Sequence, residues 1–218
     1  MFGLFRRKKD VPAESEADTV LVTGADRRVY ILDFDRTITI LHTGAIAYGN
    51  ELTPVFIQKN VKKGFADFVR KVTGRGHAVY IASYSDDSNI DLVEGEALSG
   101  HDLIKYYMDL VFGPEQTIFT PLRKNEAGEI VAIGNIIANN TQDYKQYHLD
   151  IVVQLENLDQ DNPADMKRIY LIEDDEDVVR FFMEKGCTTI VPYSASRSAD
   201  TAATKTLFTS YMPETFTA

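Results

Sequence analysis

The chain has 218 residues, enough for one sizeable core, and its 44% apolar and 26% charged content is that of a globular domain. With 23 basic against 33 acidic residues it carries a net charge of −10, which makes its surface a poor electrostatic partner for nucleic acid. The single Cys187 excludes an intramolecular disulfide and fits a reducing compartment, and no apolar run approaches the length of a membrane span.

Met1-Phe2-Gly3-Leu4-Phe5 precede the basic cluster Arg6-Arg7-Lys8-Lys9, the reverse of a secretory signal, and are too few for its apolar segment. A cytoplasmic protein without stable membrane insertion is the expectation. Residues 10–19 read as an acidic linker with few core formers, so residues 1–19 are expected to be a flexible tail and 20–218 a single domain.

Thr19 to Thr23 reads as a short strand, with Gly24-Ala25-Asp26 as a turn. Val29-Tyr30-Ile31-Leu32 is a strand running into Asp33 and Asp35. Residues i and i+2 of a strand share a face, so both carboxylates are expected on one side as the strand ends. Two buried carboxylates repel unless a cation or a proton offsets them, and open α/β sheets place their ligands at that edge. Thr37 to Pro54 is irregular, with His42 and Asn50 inside it.

Apolar residues at 61, 65, 68, 69 and 72 predict a helix from Val61 to Val72, ended by Gly74-Arg75-Gly76. His77 to Ala82 is then a second strand closing on Ser83. The β-α-β succession implies parallel strands, which brings Ser83 to the same edge as Asp33. There its hydroxyl reads equally as a phosphate ligand and as a helix cap.

Leu103 to Met108 looks helical and Leu110 to Phe112 looks like a third strand. Ile118-Phe119-Thr120 and Ile130 to Ile133 flank a polar turn, a hairpin pattern within a small insertion over 113–140. Tyr147 to Leu158 is a helix headed by Lys145. A cation at a helix N-terminus opposes the dipole, so Lys145 is expected to serve an anion elsewhere.

Ile169 to Ile172 is another strand ending in acid: Glu173-Asp174-Asp175-Glu176-Asp177. A following amphipathic helix accounts for Asp175 to Asp177 through its dipole, but less well for Glu173 and Asp174. If this strand neighbours the first, three or more carboxylates converge, which calls for a hard divalent cation. Thr188 to Val191 is a last strand, and the Ser/Thr/Ala-rich end has one helical stretch around Thr201 to Tyr211. The fold class expected is α/β: a Rossmann-like three-layer α/β/α domain with a mostly parallel sheet, a small flap, a β-hairpin insertion and no large cap domain.

Asp33-Phe34-Asp35-Arg36-Thr37, Ser83 after a strand, Lys145 heading a helix and Glu173-Asp174-Asp175 after a strand resemble, in order, the motifs of the haloacid dehalogenase (HAD) superfamily. Lys145 stands 29 residues before Asp174, similar to the usual spacing, and the paired aspartates resemble the phosphatase and phosphotransferase members. Arg36 stands where many members carry glycine. The resemblance implies a magnesium-dependent phosphomonoesterase. Asp33 would be the nucleophile that becomes an aspartyl phosphate, and Asp35 the general acid and then base. Ser83, Lys145 and Thr37 would hold the phosphoryl group. Asp33, the Asp35 carbonyl and Asp174 would bind Mg2+, with Asp175 ranked second to Asp174 and Glu173 also in reach.

The receiver domain of response regulators also has such an acidic strand, but most of that fold follows it, and only 40 residues follow Val178. A small-metabolite phosphatase or phosphotransferase, a catalytically inactive binding module and a polynucleotide-end phosphatase are the other readings; net charge disfavours the last. Because too few residues follow Thr37 to build a cap, a phosphoprotein substrate is expected. It would carry phosphotyrosine or phosphoserine/threonine, and Tyr48, Tyr84 and Phe119 are candidate aromatic contacts near the opening.

Overall fold

The computed structural model describes residues 21–44, 46–85, 97–141 and 143–192, with the backbone alone at residue 48. Strand β1 (Val29–Asp33) is buried along its whole length. Its side chains alternate between two cores: Tyr30 and Leu32 join one cluster, Val29 and Ile31 the other. A strand apolar on both faces belongs in the middle of a sheet covered on both sides.

After β1 come a tight turn (Phe34–Ile38), β2 (Ile46–Tyr48), α1 (Pro54–Asn60), α2 (Phe65–Gly74), β3 (Ala78–Ser83), β4 (Ala97–Ser99) and α3 (Gly100–Phe112). Then follow β5 (Arg123–Lys124), β6 (Ile130–Ala132), β7 (Ile136–Ala138), α4 (Gln146–Leu155), α5 (Pro163–Met166), β8 (Ile169–Ile172), α6 (Glu176–Glu184) and β9 (Thr188–Ile190).

The central sheet has the order β7-β3-β1-β8-β9 with every neighbouring pair parallel. Helices α1, α2 and α3 supply the core on one face. Helices α4 and α6 supply the other. This is a Rossmann-like three-layer α/β/α architecture. Helix α2 buries Phe65, Phe68, Val69 and Val72, one stripe at helical spacing, and Phe68 meets Tyr30 edge-on at 5.3 Å. Truncating Phe68 to alanine would cost about 3 to 5 kcal/mol. Two small antiparallel pairs, β2–β4 and β5–β6, stand outside the sheet as flap and hairpin.

Several local expectations are corrected. Leu110 to Phe112 is the last turn of α3, because Leu103, Ile104, Tyr107, Met108 and Phe112 form one buried helical stripe. The strand beside β3 is β7, inside the stretch 113–140, which therefore supplies a sheet edge as well as the hairpin. Arg123–Lys124 pairs with Ile130–Ala132, whereas the Thr120 carbonyl accepts from the amides of Asn135 and Ile136. The helix expected from Val61 starts only at Phe65. Gly64 takes φ +84 there, and Pro54 with the Thr53 cap opens a separate α1. Residues 21–23 form no strand, although the Val22 amide donates to the Arg75 carbonyl. Residues 1–20 and the expected helix around 201–211 lie outside the described residues. Among the described residues no helix is long and apolar enough to cross a membrane.

Candidate active site

The register of the sheet assembles the site. Asp33 ends β1 opposite Ala82, and Leu32 pairs with Ile172, so the ends of β1, β3 and β8 lie side by side. Asp33, Ser83 and Glu173 each follow an apolar strand and arrive buried, with 7%, 3% and 2% exposure.

Lys145 connects them from the other side. Its Nζ donates to Asp33 Oδ1 at 2.6 Å, to Glu173 Oε2 at 2.6 Å and to the Ala82 carbonyl at 3.1 Å. All three ammonium protons are thereby used. The residue is 1% exposed. Burial alone would push its pKa down, but the Asp33 and Glu173 carboxylates outweigh this and raise it. Tyr144 and Lys145 both have positive φ (52° and 65°), a backbone cost of about 1 to 3 kcal/mol each that points the lysine into the sheet edge. The cation that opposes the α4 dipole contacts two buried carboxylates.

One carboxylate oxygen each from Asp33, Glu173 and Asp174 lies within 4.8 Å of the others. Burial, then repulsion from Asp33, raises Glu173 to about 8 and also raises Asp174. Lys145 is the cation hydrogen-bonded to two of the three, Asp33 and Glu173. Arg36 and Lys62 are further nearby cations; burial lowers Lys62 to about 8, and its Nζ donates to the Arg36 carbonyl. The set brings three hard oxygen donors together, the chemistry that suits Mg2+. Asp175 stands apart from this cluster. Its Oδ1 accepts from the amides of Asp177 (2.8 Å) and Val178 (3.2 Å), capping α6, while its own amide donates to Glu173 Oε1.

Asp35 sits beyond the strand, in the tight turn, and takes different partners from Asp33. The Thr43 amide donates to its Oδ1 at 2.8 Å, the Thr43 hydroxyl lies 3.2 Å from Oδ2, and His42 Nδ1 is 3.5 Å away. Burial raises its pKa, against the opposing pull of the Thr43 hydrogen bonds and His42. Arg36, next to it, has φ +60, the backbone region that glycine enters without strain.

Ser83 Oγ accepts from the Ser85 amide at 3.2 Å, and His148 Nε2 contacts the Ser83 carbonyl at 3.0 Å. Burial and then the Lys145 charge hold His148 down to about 3, so Nε2 donates from a neutral ring. Asp33, Asp35, Ser83, Tyr84 and residues 173–177 line one cleft of about 580 Å3 with Arg36, His42, Ser85 and Asn140. Thr37 is not on that lining. The turn carries it wholly inside, where its hydroxyl has no hydrogen-bond partner among the described residues.

Of the aromatic candidates, Tyr84 reaches the cleft, with Lys145 Nζ 5.3 Å from its ring centroid. Phe119 is fully buried against Phe65 and Phe112 in the core, and the Tyr48 side chain lies outside what is described. Lys62, Thr43 and His148 carry no motif in the sequence. The one local signal was Lys62-Lys63-Gly64, polar residues interrupting an apolar stripe.

No known sequence family matches the chain, and no curated protein does. One similar solved structure is the N-terminal part of the protein BF1531 from Bacteroides fragilis, which contains a phosphatase domain complexed with Mg. The match has 16% identity and a TM-score of 0.35, and covers 75% of this chain but 35% of that one. A likeness that low carries no argument about fold or activity here.

Proposed function

We propose that the chain is a magnesium-dependent phosphomonoesterase of the HAD type that works through an aspartyl phosphate on Asp33. The observation that carries this reading is the buried cluster in which Lys145 bridges Asp33 and Glu173 while Asp174 stands within ligand distance of both. Asp33, Asp174 and Glu173 would hold the ion. When bound, magnesium would neutralise phosphoryl oxygens that an acidic cleft otherwise repels.

Lys145 fixes Asp33 Oδ1, leaving Oδ2 to attack phosphorus. The Asp33 Oδ2–P bond forms as the bond from phosphorus to the leaving oxygen breaks, and Asp35 gives its proton to that oxygen. Asp35 then takes a proton from water, whose oxygen displaces phosphate from Asp33 and restores the carboxylate. The Thr43 contacts hold Asp35 in place for both steps. Ser83 would donate its hydroxyl to the phosphoryl oxygens.

The substrate class we propose is a phosphoprotein. Among the described residues, the chain between Thr37 and α1 holds only β2 and short turns, too little for a cap with its own core. Tyr84 on the cleft wall offers an aromatic face to a phosphotyrosine ring. The test is phosphate release from phosphopeptides, sugar and nucleotide phosphates and an aryl phosphate, with magnesium and with chelator. Turnover should require magnesium, and kcat/KM should be highest for a phosphopeptide; a small metabolite far above every peptide would refute the substrate class. Asp35→Asn should slow turnover by roughly 10^2- to 10^4-fold, less for the aryl ester, whose leaving group needs little protonation.

A further inference from the structure

Arg36 stands in the tight turn after β1 with φ +60 and ψ −8, a left-handed conformation that a residue with a Cβ enters only under strain. The surrounding fold holds it there. The Arg36 amide donates to Thr39 Oγ1 at 3.0 Å, and the buried Lys62 donates through Nζ to the Arg36 carbonyl. The Thr39 hydroxyl in turn donates to the Leu41 carbonyl at 2.7 Å, which leaves its oxygen to accept from Arg36. Both backbone groups of Arg36 are thus tied down without help from its side chain. Glycine would take this conformation unstrained, so the turn itself does not ask for an arginine. A residue held in a costly conformation beside a candidate active site points to a use for its side chain.

That side chain belongs to the cleft. Arg36 is exposed, and among the described residues it is the one arginine or lysine on the cleft lining, beside Asp33, Asp35 and residues 173–177. Its charge reaches Asp174: burial and then Asp33 raise that carboxyl, and Arg36 leads the cations that oppose them. Among the described residues no hydrogen bond or ion pair fixes its guanidinium.

The other two cations of the site are committed elsewhere. Lys145 gives its three protons to Asp33, Glu173 and the Ala82 carbonyl. Lys62 lies off the cleft lining and is bound to the turn. A phosphoryl group brings negative charge into an acidic cleft, and a planar guanidinium can donate to two of its oxygens at once.

We propose that Arg36 binds the phosphoryl oxygens of the substrate directly. The inference rests on reading the cleft as a phosphoryl-transfer site. The test is calorimetric titration of the full chain with inorganic phosphate at saturating magnesium, comparing wild type with Arg36→Gln, Arg36→Gly and Arg36→Lys. Arg36→Gln keeps the Cβ and removes the charge, whereas Arg36→Gly also relieves the turn. Both should weaken phosphate binding by about tenfold or more, and Arg36→Lys should keep part of the affinity. Magnesium affinity, titrated without phosphate, should not fall in any of them, because a cation beside Asp174 repels the metal. The urea midpoint of Arg36→Gly should equal or exceed that of wild type. With an aryl phosphate, KM should rise and kcat/KM should fall in the same order as phosphate affinity.

Unchanged phosphate affinity in Arg36→Gln and Arg36→Gly would overturn the proposal. So would a loss matched by weaker magnesium binding, or a lower urea midpoint in Arg36→Gly, which would assign the side chain to the turn. A wild type that binds phosphate but releases none from any ester would refute the phosphatase reading alone, and the same comparison of affinities would still decide the role of Arg36. A wild type that binds no phosphate would refute both.

Discussion

The two edges of the central sheet are the opposite ends of the same strands, yet they carry opposite charge. β1 begins after Arg28 and ends in Asp33; β8 begins after Arg168 and ends before Glu173. Part of this follows from parallel topology. Helix N-termini gather at the carboxyl edge and C-termini at the amino edge, so acids suit the first and bases the second. Asp175, Glu176 and Asp177 in the cap and first turn of α6 need no other explanation. Burial separates the edges further. At the amino edge Arg28, Arg75 and Arg168 are half-buried and Lys167 is exposed. At the carboxyl edge Asp33, Glu173 and Lys145 are out of solvent, and Glu173 is held far above its ordinary range. Charge at a sheet edge is common; charge buried there against its own repulsion is what marks the candidate site.

The sharpest break of this contrast is Asp33→Asn. An amide cannot attack phosphorus, so turnover should vanish while circular dichroism stays native. Activity near wild type would remove Asp33 from the chemistry.

Next comes Lys145→Ala. Losing the ammonium leaves two buried carboxylates facing each other, a destabilisation of about 3 to 5 kcal/mol read from urea melts. Magnesium should restore part of it. The same truncation at Lys167, on the exposed amino edge, should shift the melt little. Equal losses would mean that burial does not distinguish the edges.

A pH series probes the histidine below the cleft. His148 has its folded pKa lowered to about 3 by burial and then by Lys145. The unfolded chain therefore takes up a proton near pH 6.5 that the folded chain refuses, so stability present above about 6.5 is lost as pH falls towards about 3. His148→Gln keeps a donor for the Ser83 carbonyl and should flatten that decline in urea midpoints. An unchanged slope would assign the acid limb to other groups.

The smallest effect separates two neighbours. Asp175→Ala removes a helix cap and should cost about 1 kcal/mol with an unchanged magnesium requirement. Asp174→Ala should instead raise the magnesium concentration needed for half-maximal activity. The reverse pattern would move the metal ligand to Asp175.

Much of this contrast was legible in the sequence wherever an apolar run ended in a functional residue. Val29 to Asp33, the run into Ser83 and Ile169 to Glu173 each announce a buried strand and the group at its end. Lys145 was legible through its conflict with the helix dipole. What the sequence concealed depends on partners distant along the chain. β7 is three residues long and is a strand only because Ile81 and Ser83 pair with it. Lys62 reads as a surface residue until the turn at Arg36 places a carbonyl over it. Thr37 matched a motif, but its burial is set by the winding of residues 34–38. The helix dipole already set Asp175 apart from Glu173; the fold adds the cap bonds from Asp175 to the first amides of α6.

The central claim is that Asp33 becomes phosphorylated. Asp35→Asn is suited to test it, because an aryl phosphate needs little acid in the first step while the second still needs the base. Acid-quenched incubation of that variant with a phosphate-labelled aryl ester and magnesium should place the label on the peptide containing Asp33, with none in the Asp33→Asn, Asp35→Asn double variant. Release of phosphate without label on that peptide, or label on another residue, would contradict the account.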